Sequence, residues 1–171
     1  MNLRLRLLLL RLTARRRGSL DVWDTARTTF RVLPTDLDAL GHMNNGRYLS
    51  IMDLARLDLL LRSGAWERVR ARGWYAVVAG QTITYRRSLT LGQRFAVESR
   101  ILGTVDKWSC MEQTFRVGDE VVARAVVRTR FLRDAGGTVS AAEVDELAGP
   151  APDGRRPPAW VEEWTRATRL G

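Results

Sequence analysis

Hydrophobic and polar residues alternate strictly from Thr25 to Leu33. Ala26, Thr28, Phe30 and Val32 share one side, and Arg27, Thr29 and Arg31 the other. A period of two residues marks a half-buried β-strand, and Pro34 ends it because proline cannot donate to a ladder. The pattern changes at Asn45. From there to Ser63, Tyr48, Leu49, Ile51, Met52, Leu54, Ala55, Leu57, Leu59, Leu60 and Leu61 cover most of a helical circumference. Asp53, Arg56 and Arg62 leave only a thin polar stripe. A helix that apolar belongs inside a core rather than on a surface. Asn44 or Asn45 supplies its N-cap and Gly64 its C′ residue, and a short helical turn over 66–72 precedes Gly73.

Four more strands follow in series. Trp74–Tyr85 is rich in Val, Thr and Tyr. Arg94–Leu102 places Phe95, Val97, Ser99 and Ile101 on one face, and Trp108–Val117 does the same with Met111, Gln113, Phe115 and Val117. Glu120–Leu132 sets Val121, Ala123, Ala125, Val127, Thr129 and Phe131 against Val122, Arg124, Val126, Arg128 and Arg130. The alternating arginines 124, 128 and 130 are expected to face solvent. Leu91-Gly92, Gly103–Lys107 and Gly118-Asp119 are short turns, which imply antiparallel pairing. After Ala135-Gly136-Gly137, a loop over 149–154 leads to a terminal helix, Pro158–Leu170, with Trp160, Val161 and Trp164 on one face. No internal repeat is visible. One nearly all-apolar helix among antiparallel strands needs a curved sheet wrapped around it, which is an α+β architecture. The expected organisation is a basic leucine-rich arm (1–20), a central domain (21–134) and a C-terminal extension (135–171).

With 171 residues, 45% hydrophobic and 27% charged, the chain reads as one globular domain with a substantial core. The net charge of +9 is carried almost wholly by arginine, Lys107 being the one lysine. A basic surface favours anionic partners such as CoA phosphates or anionic lipid. Nucleic acid is not expected, since neither zinc-ligand spacing nor a basic-aromatic RNA motif occurs. Cys110 stands alone, which excludes an intrachain disulfide and a cysteine metal cluster and points to a reducing, cytoplasmic setting. Cys110 is expected to be a buried strand thiol rather than a nucleophile. No metal or cofactor is expected, the single histidine having no cluster of ligands around it.

The unbroken apolar run at the start, Leu7–Leu10, is far short of the roughly 20 residues that span a bilayer, and it lacks a signal-peptide cleavage site. Together with Arg15-Arg16-Arg17 it is either a terminal arm or first helix packed on the domain, or a basic amphipathic segment lying on an anionic membrane.

The chemistry concentrates at Asp36-Leu37-Asp38-Ala39-Leu40-Gly41-His42-Met43-Asn44-Asn45-Gly46-Arg47-Tyr48, just before the apolar helix. A helix start offers unpaired N–H groups and a partial positive charge that can polarise a carbonyl. A carboxylate held beside it can act on that carbonyl as general base or nucleophile. Read alone, Asp36 is a capping or turn residue. Asp38 is either the acid that does the chemistry or a turn aspartate. His42 either hydrogen-bonds Asp38, orients substrate or donates a proton to the leaving group, or it satisfies loop backbone groups. Asn44 or Asn45 caps the helix, and Tyr48 is a core aromatic or a substrate contact. Arg86 and Arg87 either pair with the phosphates of an anionic ligand or form a solvated strand end.

This segment, followed by the long helix and four strands, resembles the hotdog-fold thioesterases of the 4-hydroxybenzoyl-CoA thioesterase family. That family often carries Asp-x-Asp-x-x-Gly and a tyrosine in the first helical turn. The Gly-His-Met-Asn-Asn variant lies closer to the fatty-acyl branch and to thioesterase superfamily member six-like proteins. The likeness covers roughly Thr25 to Arg133. It implies a curved antiparallel sheet of about five or six strands around one central helix, and a homo-oligomer, dimer or tetramer, with acyl-CoA at the subunit interface. It places catalysis on Asp38, the oxyanion contact on the backbone N–H of Asn45 with Gly46 as its neighbour, and the family tyrosine on Tyr48. His42 stands where the family usually has an apolar residue. The resulting expectation is an acyl-CoA thioesterase. A non-catalytic acyl-binding or membrane-associated hotdog protein is the alternative, and a hotdog hydratase or dehydratase a more distant one.

Overall fold

In the computed structural model, residues 3–152 and 154–169 are described. Met1, Asn2, Asp153, Leu170 and Gly171, which belong to the expected arm, loop and terminal helix, lie outside the described residues. The elements run α1 (Leu3–Ala14), β1 (Ala26–Arg31), α2 (Asn45–Arg62), α3 (Ala65–Ala71), β2 (Trp74–Tyr85), β3 (Arg94–Val105), β4 (Trp108–Val117), β5 (Glu120–Arg133), α4 (Ala141–Ala148) and α5 (Ala159–Ala167). The five strands form one antiparallel sheet in the order β1-β3-β4-β5-β2. Hairpins set β3, β4 and β5 side by side, while α2 and α3 carry the chain from β1 at one edge to β2 at the other.

Helix α2 fills the concave face. Its Tyr48, Ile51, Met52 and Ala55 pack on Phe95, Val97, Phe115, Ala123, Ala125 and Val127, with Val32, Met43 and Leu89 closing the end near the helix start. The Gln113 amide enters this layer and is hydrogen-bonded there. Gln113 donates to the Met52 carbonyl (2.9 Å) and the Ser99 hydroxyl (2.9 Å), and accepts from Arg56. Burial lowers the Arg56 pKa. This is the curved sheet and buried helix that the resemblance implies.

The convex face departs from the alternation read along the chain. A register shift between Ile101 and Gly103 lets Leu102 and Val105 join Cys110, Val126 and Val161 in a second core cluster under α5. Burial pushes the Cys110 thiol up to about 11, Thr165 and Arg128 opposing the shift, so it is a packing group. Arg124 is exposed as expected, but Arg128 is buried. Its guanidinium lies over the Trp108 and Trp164 rings, 5.4 and 5.0 Å from their centroids. It donates to the Thr165 carbonyl, the Thr168 hydroxyl and the Thr168 carbonyl, each at 2.8 Å. An arginine that satisfies the open C-terminal end of a helix can be buried where an unpaired one cannot. Trp160 does not share the packed face of α5 but is exposed.

Gly80 makes room for this arginine. A Cβ there would sit 2.7 Å from Arg128 Nε, and three hydrogen bonds stop the side chain from moving away. Gly80→Ala is expected to destabilise the fold by about 1–3 kcal/mol, as overpacking does; thermal unfolding monitored by circular dichroism measures it. Helix α4 has no counterpart in the sequence reading. Its signal was present: Ser140 and Glu143 form a reciprocal capping box. Glu143 also binds Arg133 (2.7 and 2.9 Å), and Arg133 with Ser140 holds its carboxyl down to about 2.

Candidate active site

The chain leaves β1 at Arg31 and turns at Pro34–Asp36. Asp36 is buried here and anchors the segment. Its carboxylate accepts the Leu33 N–H (2.9 Å) and a guanidinium N–H of Arg6 (2.5 Å), and its carbonyl accepts the Asn44 N–H (2.9 Å). The last bond draws the two ends of the 36–44 loop together. Inside the loop, Asp38 donates its N–H to the His42 carbonyl (2.8 Å) and accepts the Gly41 N–H at its own carbonyl (3.1 Å). Gly41 stands at φ 77°, a conformation that favours glycine. One carboxylate oxygen of Asp38, Oδ1, accepts the N–H groups of Leu40 (2.9 Å) and His42 (3.2 Å). The other, Oδ2, has no hydrogen-bond partner among the described residues, and the residue is half-buried.

Helix α2 begins immediately after this loop. Asn44 is its N-cap, with Oδ1 accepting the Gly46 N–H (2.9 Å) and the carbonyl accepting the Arg47 N–H (2.8 Å). The Asn45 N–H is left without an acceptor among the described residues, at the positive end of an 18-residue helix. Loop and helix start are therefore contiguous, and together they present a carboxylate oxygen and a backbone donor that the fold does not consume. That is the pair of groups needed to deprotonate or attack at a carbonyl while holding the oxyanion.

The remaining residues singled out in the sequence are placed as follows. His42 is exposed; its N–H, not its imidazole, bonds Asp38, and the ring makes no ion pair among the described residues. Tyr48 is buried, with its ring 4.9 Å from Tyr85 and 5.1 Å from Phe115. Burial raises its pKa, with the Leu89 backbone opposing. Arg87 pairs with Glu120 (2.9 Å). Arg86 lines a cleft of ≈ 330 Å³ with Thr82, Thr84, Arg124 and Trp160. Five clefts among the described residues, of ≈ 40 to ≈ 610 Å³, are lined by none of Asp38, His42, Asn45 and Gly46. No group of three or more His, Cys, Asp or Glu positioned for a metal occurs among the described residues. Sequence reasoning missed Arg6, whose only signal was an arginine inside a leucine-rich segment 30 residues from Asp36.

Fold and site together define a hotdog protein with an aspartate in the loop that leads into its central helix. Residues 32–165 match the family model described as Thioesterase-like superfamily, and the chain belongs to that superfamily. Protein THEM6 of Xenopus laevis is 43% identical over 99 residues, which is 58% of this chain and 48% of that protein. The chain spans about half the length of the THEM6 proteins it matches. The long-chain acyl-CoA thioesterase FadM of Escherichia coli strain K12 is 30% identical over 103 residues, 59% of this chain and 78% of FadM. Among solved structures, YbaW, a probable thioesterase from Escherichia coli, superposes with a TM-score of 0.67 at 25% identity, covering 71% of this chain and 95% of that one.

Proposed function

We propose that the chain hydrolyses the thioester of a fatty-acyl or aryl coenzyme A. The observation that carries this reading is that Asp38 keeps one carboxylate oxygen, and Asn45 its N–H, without a partner among the described residues, in a loop that runs directly into the start of α2. The thioester carbonyl accepts from Asn45, and Gly46 serves as its neighbour because its own N–H is committed to the Asn44 cap. Asp38 then either removes a proton from an attacking water or attacks directly to give a mixed anhydride that water opens. In both routes the tetrahedral oxyanion collapses by expelling the CoA thiolate. That thiolate is a good leaving group, so an acid contributed by the exposed His42 is not required. Kinship with FadM favours a fatty-acyl substrate. Arg86 and Arg87 at the end of β2 are assigned to the CoA phosphates, and Tyr48 to the wall behind the acyl group.

The site is completed by a second copy. Strand β2 pairs with β5 on one side only and exposes Tyr75, Val77, Val78 and Tyr85. A long apolar edge of this kind is a template for pairing, and its Tyr85 end touches Tyr48 in the first turn of α2. A β2–β2 dimer therefore roofs the open loop. A charge at Val78, Val78→Arg, is expected to give monomers by light scattering and to lose hydrolysis with them.

The decisive experiment follows thiol release from a panel of short- to long-chain and aryl CoA esters with the unmodified chain. Turnover of at least one ester is the expected result. The open surroundings of Asp38 in the single chain favour one second reading, an acyl-CoA-binding protein without chemistry. Tight binding with no turnover in the dimeric protein establishes that reading instead.

A further inference from the structure

Helix α1 is attached to the domain by one face and bare on the opposite one. Arg6, Leu10 and Ala14 are buried. Arg6 is held by Asp36 and the Arg31 carbonyl, and Arg17, just beyond the helix, by Asp58. The outward face carries Leu5, Leu8, Leu9 and Leu12, exposed by 46%, 53%, 46% and 63%. Spacings of three and four residues place them in one stripe along the helix. Four leucines aligned in water are costly, and the ion pairs that fix α1 leave no freedom to roll them inward.

The charge around the stripe says what covers it. The first twenty residues contain six arginines and no acidic residue. Arg11 and Arg16 are exposed, with no ion-pair partner among the described residues. Beside the stripe, a groove of ≈ 610 Å³ between α1 and β1 is lined by Leu9, Phe30 and Leu33 together with Arg16, Arg27 and Arg31. Pairing α1 with α1 of a second copy would bring arginine onto arginine, which disfavours that occupant. No helix among the described residues is long and apolar enough to cross a membrane.

We propose that this face docks the protein on a bilayer containing anionic phospholipid. The leucine stripe inserts at the acyl boundary, and Arg11, Arg16 and Arg31 meet the phosphates. The inference is independent of thioester hydrolysis. Through Arg6 and Asp36, α1 is also tied to the loop that bears Asp38, so docking fixes how that loop faces the lipid.

The test is co-sedimentation of the full chain with vesicles of phosphatidylcholine alone and of phosphatidylcholine with about a third phosphatidylglycerol, at physiological salt. Binding to the anionic vesicles only is expected. Leu8→Gln with Leu12→Gln, and separately Arg11→Gln with Arg16→Gln, are each expected to weaken it about tenfold or more. All four side chains are exposed, so unchanged circular dichroism and melting confirm that the variants fold. In the Leu12→Trp variant, indole fluorescence is expected to shift to the blue on binding. Three results overturn the proposal: no binding, binding that the leucine variants leave unchanged, or concentration-dependent self-association that those variants abolish.

Discussion

Replacing Asp38 with asparagine is expected to lower thioester turnover by about 10²–10⁴-fold, the usual contribution of a positioned general base. At about 1.36 kcal/mol per tenfold, that is about 3–5 kcal/mol of transition-state stabilisation. Asparagine is the informative substitution because it keeps the oxygen that accepts the Leu40 and His42 N–H groups. The loop therefore holds its shape, and melting temperature and KM are expected to change little while kcat falls. Alanine would remove the loop's internal acceptor as well and confound the two effects. His42→Ala provides the contrast, since its exposed imidazole bonds nothing among the described residues; kcat within a few-fold of the parent is expected. Retained turnover in a folded Asp38→Asn protein would remove Asp38 from the mechanism.

Asp58→Ala is expected to destabilise the fold by about 3–5 kcal/mol, the cost of breaking a buried ion pair from one side. Asp58 is 0% exposed on α2. It accepts two N–H groups of Arg17 (3.0 and 2.6 Å) and the Thr28 hydroxyl (2.6 Å), with Arg62 at 3.6 Å. Alanine takes the shared acceptor from the Arg17 guanidinium and the Thr28 hydroxyl, while Arg62 keeps its bonds to the Gly18 and Arg17 carbonyls. Against a total stability of about 5–15 kcal/mol, the melting temperature is expected to fall by about 10 °C or more. Asp53, an exposed acid on the same helix that pairs with Arg56, is the control. Asp53→Ala is expected to cost about 1 kcal/mol or less. Equal melting of the two variants would mean that Asp58 does not join α1 to the core.

The contrast between those two aspartates shows where reading along the chain stops. Asp53, Arg56 and Arg62 were visible as the polar stripe of the central helix, because a helix repeats every 3.6 residues and its period is written in adjacent sequence. Asp58 sits in the middle of the apolar run. Only the approach of Arg17, 41 residues earlier in the chain, explains why a charge is tolerated there. The same holds on the sheet. Alternation along Glu120–Leu132 distinguished two faces, but it did not show that α5 returns to cover the convex one. Arg128 therefore reads as solvent-facing until Trp108, Trp164 and Thr168 are brought around it.

The sequence by itself determined the order of strands and helix, the burial of α2, and the concentration of Asp38, His42, Asn44 and Asn45 before its first turn, because all of these are local patterns of period, cap and turn. The tertiary structure alone decided which oxygen of Asp38 stays free, that Asp36 is spent on Arg6, and that α1 shows its leucines to the outside. Those outcomes depend on partners far apart in the chain, and no spacing rule links residues whose contact is set by how a whole sheet curves around one helix.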